Sequence, residues 1–413
     1  MSSFWKRRSL KPVFSVGFSY GLLDTLNKHF QETLGISKAR SSGLQAAYFG
    51  AYPLASIGHA AWILRHYGYR AVYIWGLFLY GLGALLAIPA IKEQSFGGFC
   101  VCIFIIENGL GSLETAVNPY IAICGPPKYS EIRINLSQAF NGIGTVVAPV
   151  LGSYVLFDFD DQNALENVQW VYTAIAIFVF SLAIVFFFST IPEITDADME
   201  YQAQETGTGD NDKPLRKQYR LFHAAFAQFC YCGSQTAIAG YFINYVTETR
   251  PNTNSSLGSN RFIGVFLMHI YKPRWVFGVF LTMCMVFLAP SITQRGNTGM
   301  SMLFVTLFFE SICFPTIVAL GMRGLGRHTK RGSGFIIGGV IGGASVPPLL
   351  GVAADARNTG FAMVVPLCVN FVPSYRNCAD AYTAVDVGLR LQEPGADEEK
   401  GSQQTTERVV EVK

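Results

Sequence analysis

Four carboxyl groups stand in stretches that are otherwise apolar: Asp24, Glu107, Glu114 and Glu310. Glu114 is the sharpest case, set within Leu110-Gly111-Ser112-Leu113-Glu114-Thr115-Ala116-Val117-Asn118-Pro119. An acid near the middle of a bilayer costs several kcal/mol, so it persists mainly where it faces a polar cavity, pairs with a neighbouring helix or carries function. The chemistry open to such a group is proton exchange. A neutral carboxyl donates a hydrogen bond, whereas an ionised one only accepts, so a proton and a hydroxyl-bearing ligand can be bound in concert. Glu107 precedes Glu114 by seven residues and shares its helix face. Glu107 and Glu310 are candidates for additional proton-path groups, or for acids exposed at helix ends.

Other chemistries find no support in residue spacing. The nine cysteines form no CxxC pair, and the two C-x-C pairs, Cys100/Cys102 and Cys230/Cys232, point to different sides of a helix. The six histidines are scattered without H-x-x-x-H spacing, and no nucleophile elbow or phosphate loop occurs. No metal, no cofactor and no enzymatic activity is expected.

The elements that must position the acids follow from composition. Of 413 residues, 50% are hydrophobic and only 14% charged, against about 25% charged in soluble proteins, which argues for an all-α membrane protein. A net charge of +3 with the basic residues in loops gives no reason to expect nucleic acid. Apolar runs of about 20 residues, enough to span as helices, recur near 44–64, 70–91, 98–124, 134–157, 168–190, 219–246, 275–293, 300–321 and 333–353. Three further runs, 12–26, 262–270 and 361–373, are interrupted or short. The second would cover only about 14 Å of a roughly 30 Å hydrocarbon layer. Loop charge nevertheless asks for it. With Lys6, Arg7 and Arg8 in the cytoplasm and twelve crossings, the groups Arg65/Arg70, Lys128/Arg133, Lys213 to Arg220, Lys272/Arg274 and Arg323 to Arg331 all fall on the cytoplasmic side. No A-x-A cleavage pattern follows the first apolar run, which reads as a membrane helix rather than a signal peptide. The polar stretch after Pro192-Glu193 is a linker, the acidic stretch after Arg376 a disordered tail, and Asn254 in Asn254-Ser255-Ser256 a glycosylation candidate on an outer loop. The expected division is 1–192, a first six-helix half; 193–218, a cytoplasmic linker; 219–374, a second half; and 375–413, the tail.

The halves repeat. Glu114 is followed by Pro119 and Gly125, and Glu310 by Pro315 and Gly321 at the same offsets. Pro149-Val150-Leu151-Gly152 answers Pro348-Leu349-Leu350-Gly351, and Phe18-Ser19-Tyr20 before Asp24 answers Phe229-Cys230-Tyr231 before Gln235. Two six-span halves joined by a cytoplasmic linker are the layout of a transporter whose halves rock around a midplane site.

These residues also carry a family resemblance. Gly21-Leu22-Leu23-Asp24 before Phe30-Gln31, the run Gly76 to Ala84, Leu113-Glu114-Thr115-Ala116-Val117-Asn118-Pro119, Arg133 to Asn141, Ala227 to Tyr231 and Pro315-Thr316 closely resemble the L-fucose:proton symporter family of the major facilitator superfamily. The resemblance implies a 6+6 helix bundle and proton-coupled transport of a hexose or 6-deoxyhexose, such as L-fucose, galactose or glucose. It puts Asp24 and Glu114 on the family's two intramembrane acids and Gln138 and Asn141 on sugar-binding positions. Compared with the family, helices 1, 8 and 12 are shortened. Two rivals stay open: a sugar sensor that does not transport, and an incomplete, inactive copy.

Gln138 and Asn141 are three residues apart on one face, with amide donors and acceptors suited to vicinal hydroxyls or to a contact between helices. Asn118 belongs to the same acid-bearing motif. Gln228 and Gln235 share a face with Tyr231 between them, and the Tyr231 ring is a platform for a sugar or a packing residue. The expected partners are a small-molecule sugar, protons and lipid, with the chain acting as a monomer in the plasma membrane and both termini in the cytoplasm.

Overall fold

The computed structural model of the chain describes residues 38–93, 95–123, 130, 132–139, 141, 164–189, 193–194, 214–249, 273–322 and 325–369. Asp24, Asn254, the expected spans over 12–26 and 262–270 and the tail lie outside the described residues. Among those described, every regular element is helical.

The expected span 44–64 opens as α1 (Lys38–Pro53), passes through a π-helical turn over Leu54–His59 and runs on into α2 (Ala60–Lys92). Pro53 explains the wide turn. It has no N–H for the Phe49 carbonyl and its ring presses on that carbonyl, so the chain takes up slack just beyond it. The slack appears at Gly58, whose φ of −86° and ψ of −112° leave the helical region. The spans expected at 44–64 and 70–91 thus join in one 50-residue helical run, Gly43–Lys92. Their division falls at Gly68, with φ at 80° and ψ at −174°, a conformation that favours glycine. Beyond it the helix restarts, and the carboxyl of Glu193 accepts from the backbone N–H groups of Tyr69 at 2.9 Å and Arg70 at 3.1 Å. A Cβ on Gly68 would run into that carboxyl. Arg70 also donates through Nη2 to the Phe187 carbonyl.

The remaining elements are α3 (Phe96–Ile123), α4 (Ala164–Phe188), α5 (Tyr219–Thr249), α6 (Pro273–Thr293), α7 (Gly296–Glu310), α8 (Cys313–Met322), α9 (Thr329–Gly338), α10 (Gly342–Ala356) and α11 (Thr359–Ala362). Residues 132–139 and 364–369 are also helical. Among the described residues, four helical runs are long and apolar enough to cross a membrane: Gly43–Lys92, Phe96–Ile123, Gly296–Met322 and Thr329–Ala356. Large apolar side chains such as Trp62, Trp170, Ile177, Ile184 and Val279 stay exposed on their outer faces, which suits a lipid surround.

The expected span 300–321 lies within the run Gly296–Met322 and contains a joint. The run 300–321 is not a single regular helix but α7 and α8, separated by a turn at Ser311 and Ile312. Pro315 is the physical reason, since it lacks the N–H that would bond the Ser311 carbonyl four residues back.

The described helices before residue 190, the first half of the chain, and those after residue 213, the second half, are packed into one core. Tyr48, Tyr52, Leu64, Ile106 and Leu113 of the first half share a buried cluster with Leu221, Ala224, Tyr231, Ile317 and Ile336 of the second. A second cluster, around Ile238, Phe242, Tyr245, Leu288, Leu303 and Met363, belongs to the second half alone. At the seam, α9 lies so close to the π turn that a Cβ on Gly334 would meet the Ser56 carbonyl. Glycine there lets two backbones touch, the usual device for helix association in lipid.

Candidate functional site

The site is built outward from α3. Its buried face carries Glu107, Gly111, Glu114 and Asn118, and Gly111 lets α1 approach through Tyr52 and Ala55. Ser112 and Thr115 spend their hydroxyls on the carbonyls four residues back, Asn108 at 2.7 Å and Gly111 at 2.6 Å, so they add polarity to the helix without needing outside partners. Glu114 is buried and lies within electrostatic reach of Cys232 on α5. The carboxyl of the first half therefore faces a helix of the second.

Pro119 shapes the same seam. It cannot donate to the Thr115 carbonyl four residues back. Ser333 of α9 does so instead, Oγ to the Thr115 oxygen at 3.1 Å, while lying equally close to the Lys330 carbonyl. A matching contact runs the other way between the halves. Asn135 donates through Nδ2 to Thr316 Oγ1 at 3.3 Å, from the 132–139 helix to α8. Asn135 is buried. Further along the seam, the Lys330 ammonium lies 5.5 Å from the centroid of the Tyr69 ring, a cation over an aromatic face.

The expected amides fall into two groups. Asn141 donates through Nδ2 to Gln138 Oε1 at 2.8 Å, so these two form the pair that their spacing implies. Gln228 is fully buried and donates through Nε2 to Cys232 Sγ at 3.3 Å, on the face turned to Glu114. Two polar atoms nearby have no hydrogen-bond partner among the described residues: Asn118 Nδ2, one turn after Glu114, and Gln228 Oε1. Buried polar atoms are normally satisfied, so an unmatched donor and acceptor point to a missing ligand or water. Gln235 is half-buried seven residues after Gln228.

Tyr231 and Glu310 are drawn together elsewhere. Tyr231 is fully buried and its hydroxyl donates to the Glu310 backbone carbonyl at 2.5 Å. It ties α5 to the end of α7. The ring is packed in the core, and its hydroxyl serves the carbonyl where α7 stops. Glu310 itself is buried beside Cys284 of α6. Among the described residues no group of three or more His, Cys, Asp or Glu side chains is arranged to hold a metal.

Residue spacing gave no hint of Ser333, Cys232 or Glu193. Ser333 had one available signal, a proline in the partner helix, but nothing in the sequence pairs the two helices.

Comparison with known proteins gives the same outline. The model of the Major Facilitator Superfamily matches residues 13–347. The L-fucose-proton symporter of Escherichia coli (strain K12) is 32% identical over 383 residues, covering 84% of this chain and 86% of that one. The glucose/galactose transporter of Brucella abortus biovar 1 (strain 9-941) is 28% identical over 383 residues, covering 88% and 90%. The crystal structure of a Major Facilitator Superfamily transporter, FucP, in the outward conformation superposes with a TM-score of 0.70 at 28% identity, covering 91% of this chain and 99% of that one.

Proposed function

The chain belongs to the Major Facilitator Superfamily, in its L-fucose:proton symporter family, and on that premise we propose that it carries a hexose or 6-deoxyhexose across a membrane together with protons. L-Fucose, galactose and glucose are the sugars to try first, given the names of its relatives. The observation that carries this reading is the buried Glu114 carboxyl together with two buried polar atoms that have no hydrogen-bond partner among the described residues, Asn118 Nδ2 one turn along α3 and Gln228 Oε1 on α5. A sugar hydroxyl both donates and accepts, so it can satisfy one of each. Glu114 with its proton can donate to the sugar, and without it can only accept. Sugar affinity then changes with the proton, which is what coupling requires.

In this reading Glu114 is the coupling acid. Asp24, which lies outside the described residues, is its partner on the first helix. Asn118, Gln138, Asn141, Gln228 and Gln235 supply sugar contacts, and Tyr231 braces α5. Alternating access would open and close the seam at Thr115, Ser333, Asn135 and Thr316. The protein would act in the plasma membrane as a monomer, with both termini in the cytoplasm as the loop charges direct.

The test is uptake into proteoliposomes with and without an inward proton gradient. Gradient-dependent accumulation of one of the three sugars is the expected result. Saturable binding without uptake, or no response to any of them, would overturn the proposal.

A further inference from the structure

Glu107 is fully buried, and among the described residues no group lies within 3.5 Å in hydrogen-bonding geometry of either carboxyl oxygen, the Tyr48 hydroxyl interacting with it from further off. Its surroundings come from three helices. The Tyr48 hydroxyl of α1 approaches it and Glu114 acts on it along α3. Tyr172 of α4 lies within electrostatic reach of Glu107, Cys102 and Tyr80, the last from α2. These titratable groups carry no positive charge. His59 turns to Asn108, with 3.2 Å between Nε2 and Oδ1, and accepts from Trp75 Nε1 at 3.0 Å on its Nδ1.

A buried carboxyl with no cation among these neighbours contributes nothing to packing that an apolar or amide side chain of the same size would not. What it adds is an exchangeable proton, within reach of the phenols of Tyr48 and Tyr172. Position along α3 gives the proton a direction. Glu107 is eleven residues from the Phe96 end, and Glu114 stands about 10 Å further along the same face at 1.5 Å per residue. The Phe96 end is the one that the loop charges place outside.

Resting on the transport reading above, we propose that Glu107 is a second proton site, which takes a proton from the Phe96 end of α3 and delivers it to Glu114. The step moves one proton from the Glu107 carboxyl to the Glu114 carboxylate, by way of the neighbouring hydroxyls or admitted water. No covalent bond other than O–H is made or broken. Tyr48 and Tyr172 hold the path.

The experiment compares the wild-type chain with Glu107→Gln and Glu107→Asp. In proteoliposomes, Glu107→Gln keeps hexose counterflow at the wild-type rate, whereas the initial rate of gradient-driven accumulation falls at least tenfold. Glu107→Asp recovers part of that loss. Full accumulation by Glu107→Gln would overturn the proposal. Independently of any sugar, pH-difference infrared spectra of the purified protein should contain a carboxylic C=O band that is missing in Glu107→Gln and shifted in Glu107→Asp. Should the wild type transport no sugar, the transport reading fails, while the infrared band still decides whether Glu107 exchanges its proton. A Glu107 band that does not respond to pH, or no such band, identifies a purely structural acid and defeats the inference.

Discussion

Ser333 donates to the carbonyl of Thr115, the one that Pro119 leaves without its helical donor, and it does so from the opposite half of the protein. The bond exists because a proline in one helix creates a need that only another helix can meet. Its hydrogen is shared with the Lys330 carbonyl, so its worth is at most that of an ordinary buried hydrogen bond, about 1 kcal/mol. Ser333→Ala should therefore loosen the seam about fivefold without unfolding the chain. Hydrogen exchange of the amides at 116–123 should rise, and exchange unchanged from wild type would show that the contact carries no weight.

Glu114→Gln keeps the shape and the hydrogen-bonding capacity of the side chain and removes its proton chemistry. The expected outcome is loss of accumulation against a gradient, with sugar counterflow retained. Accumulation equal to wild type would remove Glu114 from the coupling step.

Gln228→Leu replaces an unmatched buried amide oxygen with an apolar group of similar size. If that oxygen accepts from a sugar hydroxyl, the half-saturating concentration for counterflow should rise roughly tenfold, the equivalent of about 1.4 kcal/mol. Thermal stability should hold or improve, because the Oε1 atom has no partner among the described residues in the absence of sugar. A lower melting temperature with unchanged half-saturation would make Gln228 a packing residue.

Gly68 and Glu193 give a prediction about stability alone. Gly68→Ala combines a left-handed backbone with a collision at the Glu193 carboxyl, and should cost about 1 to 2 kcal/mol. Glu193→Ala removes the cap from Tyr69 and Arg70 and should cost about 1 kcal/mol. The two effects share one contact, so the double variant should lose less than the sum. Thermal melting of the detergent-solubilised protein reads all three; full additivity would show that the contact is not shared.

Much of this was open to reading from the sequence, for a physical reason. An apolar run of 20 residues has few alternatives to a membrane helix, so α3, α4, α5 and α6 begin and end within a few residues of their expected limits. Glu114 was visible because a charge in such a run is conspicuous. The joint at Ser311 carried a signal in Pro315, yet Pro119, at the equivalent place in the repeat, leaves α3 unbroken. Composition cannot distinguish the two, because the outcome depends on what the neighbouring helix offers the freed carbonyl. Cys232 and Ser333 are small residues whose importance comes only from what they face. The loop Arg65 to Arg70 was legible as charge, but not as a socket for Glu193, 124 residues away from Tyr69.

That socket bears on how the chain can be divided. Glu193 follows α4, yet its carboxyl closes the restart of α2 beyond Gly68, so the chain that leaves α4 is fastened at once to an earlier helix. A split version of the protein, expressed as two fragments that find each other in the membrane, would have to be cut beyond Ile194. A cut two residues earlier would give the second fragment a piece that the first needs to finish folding.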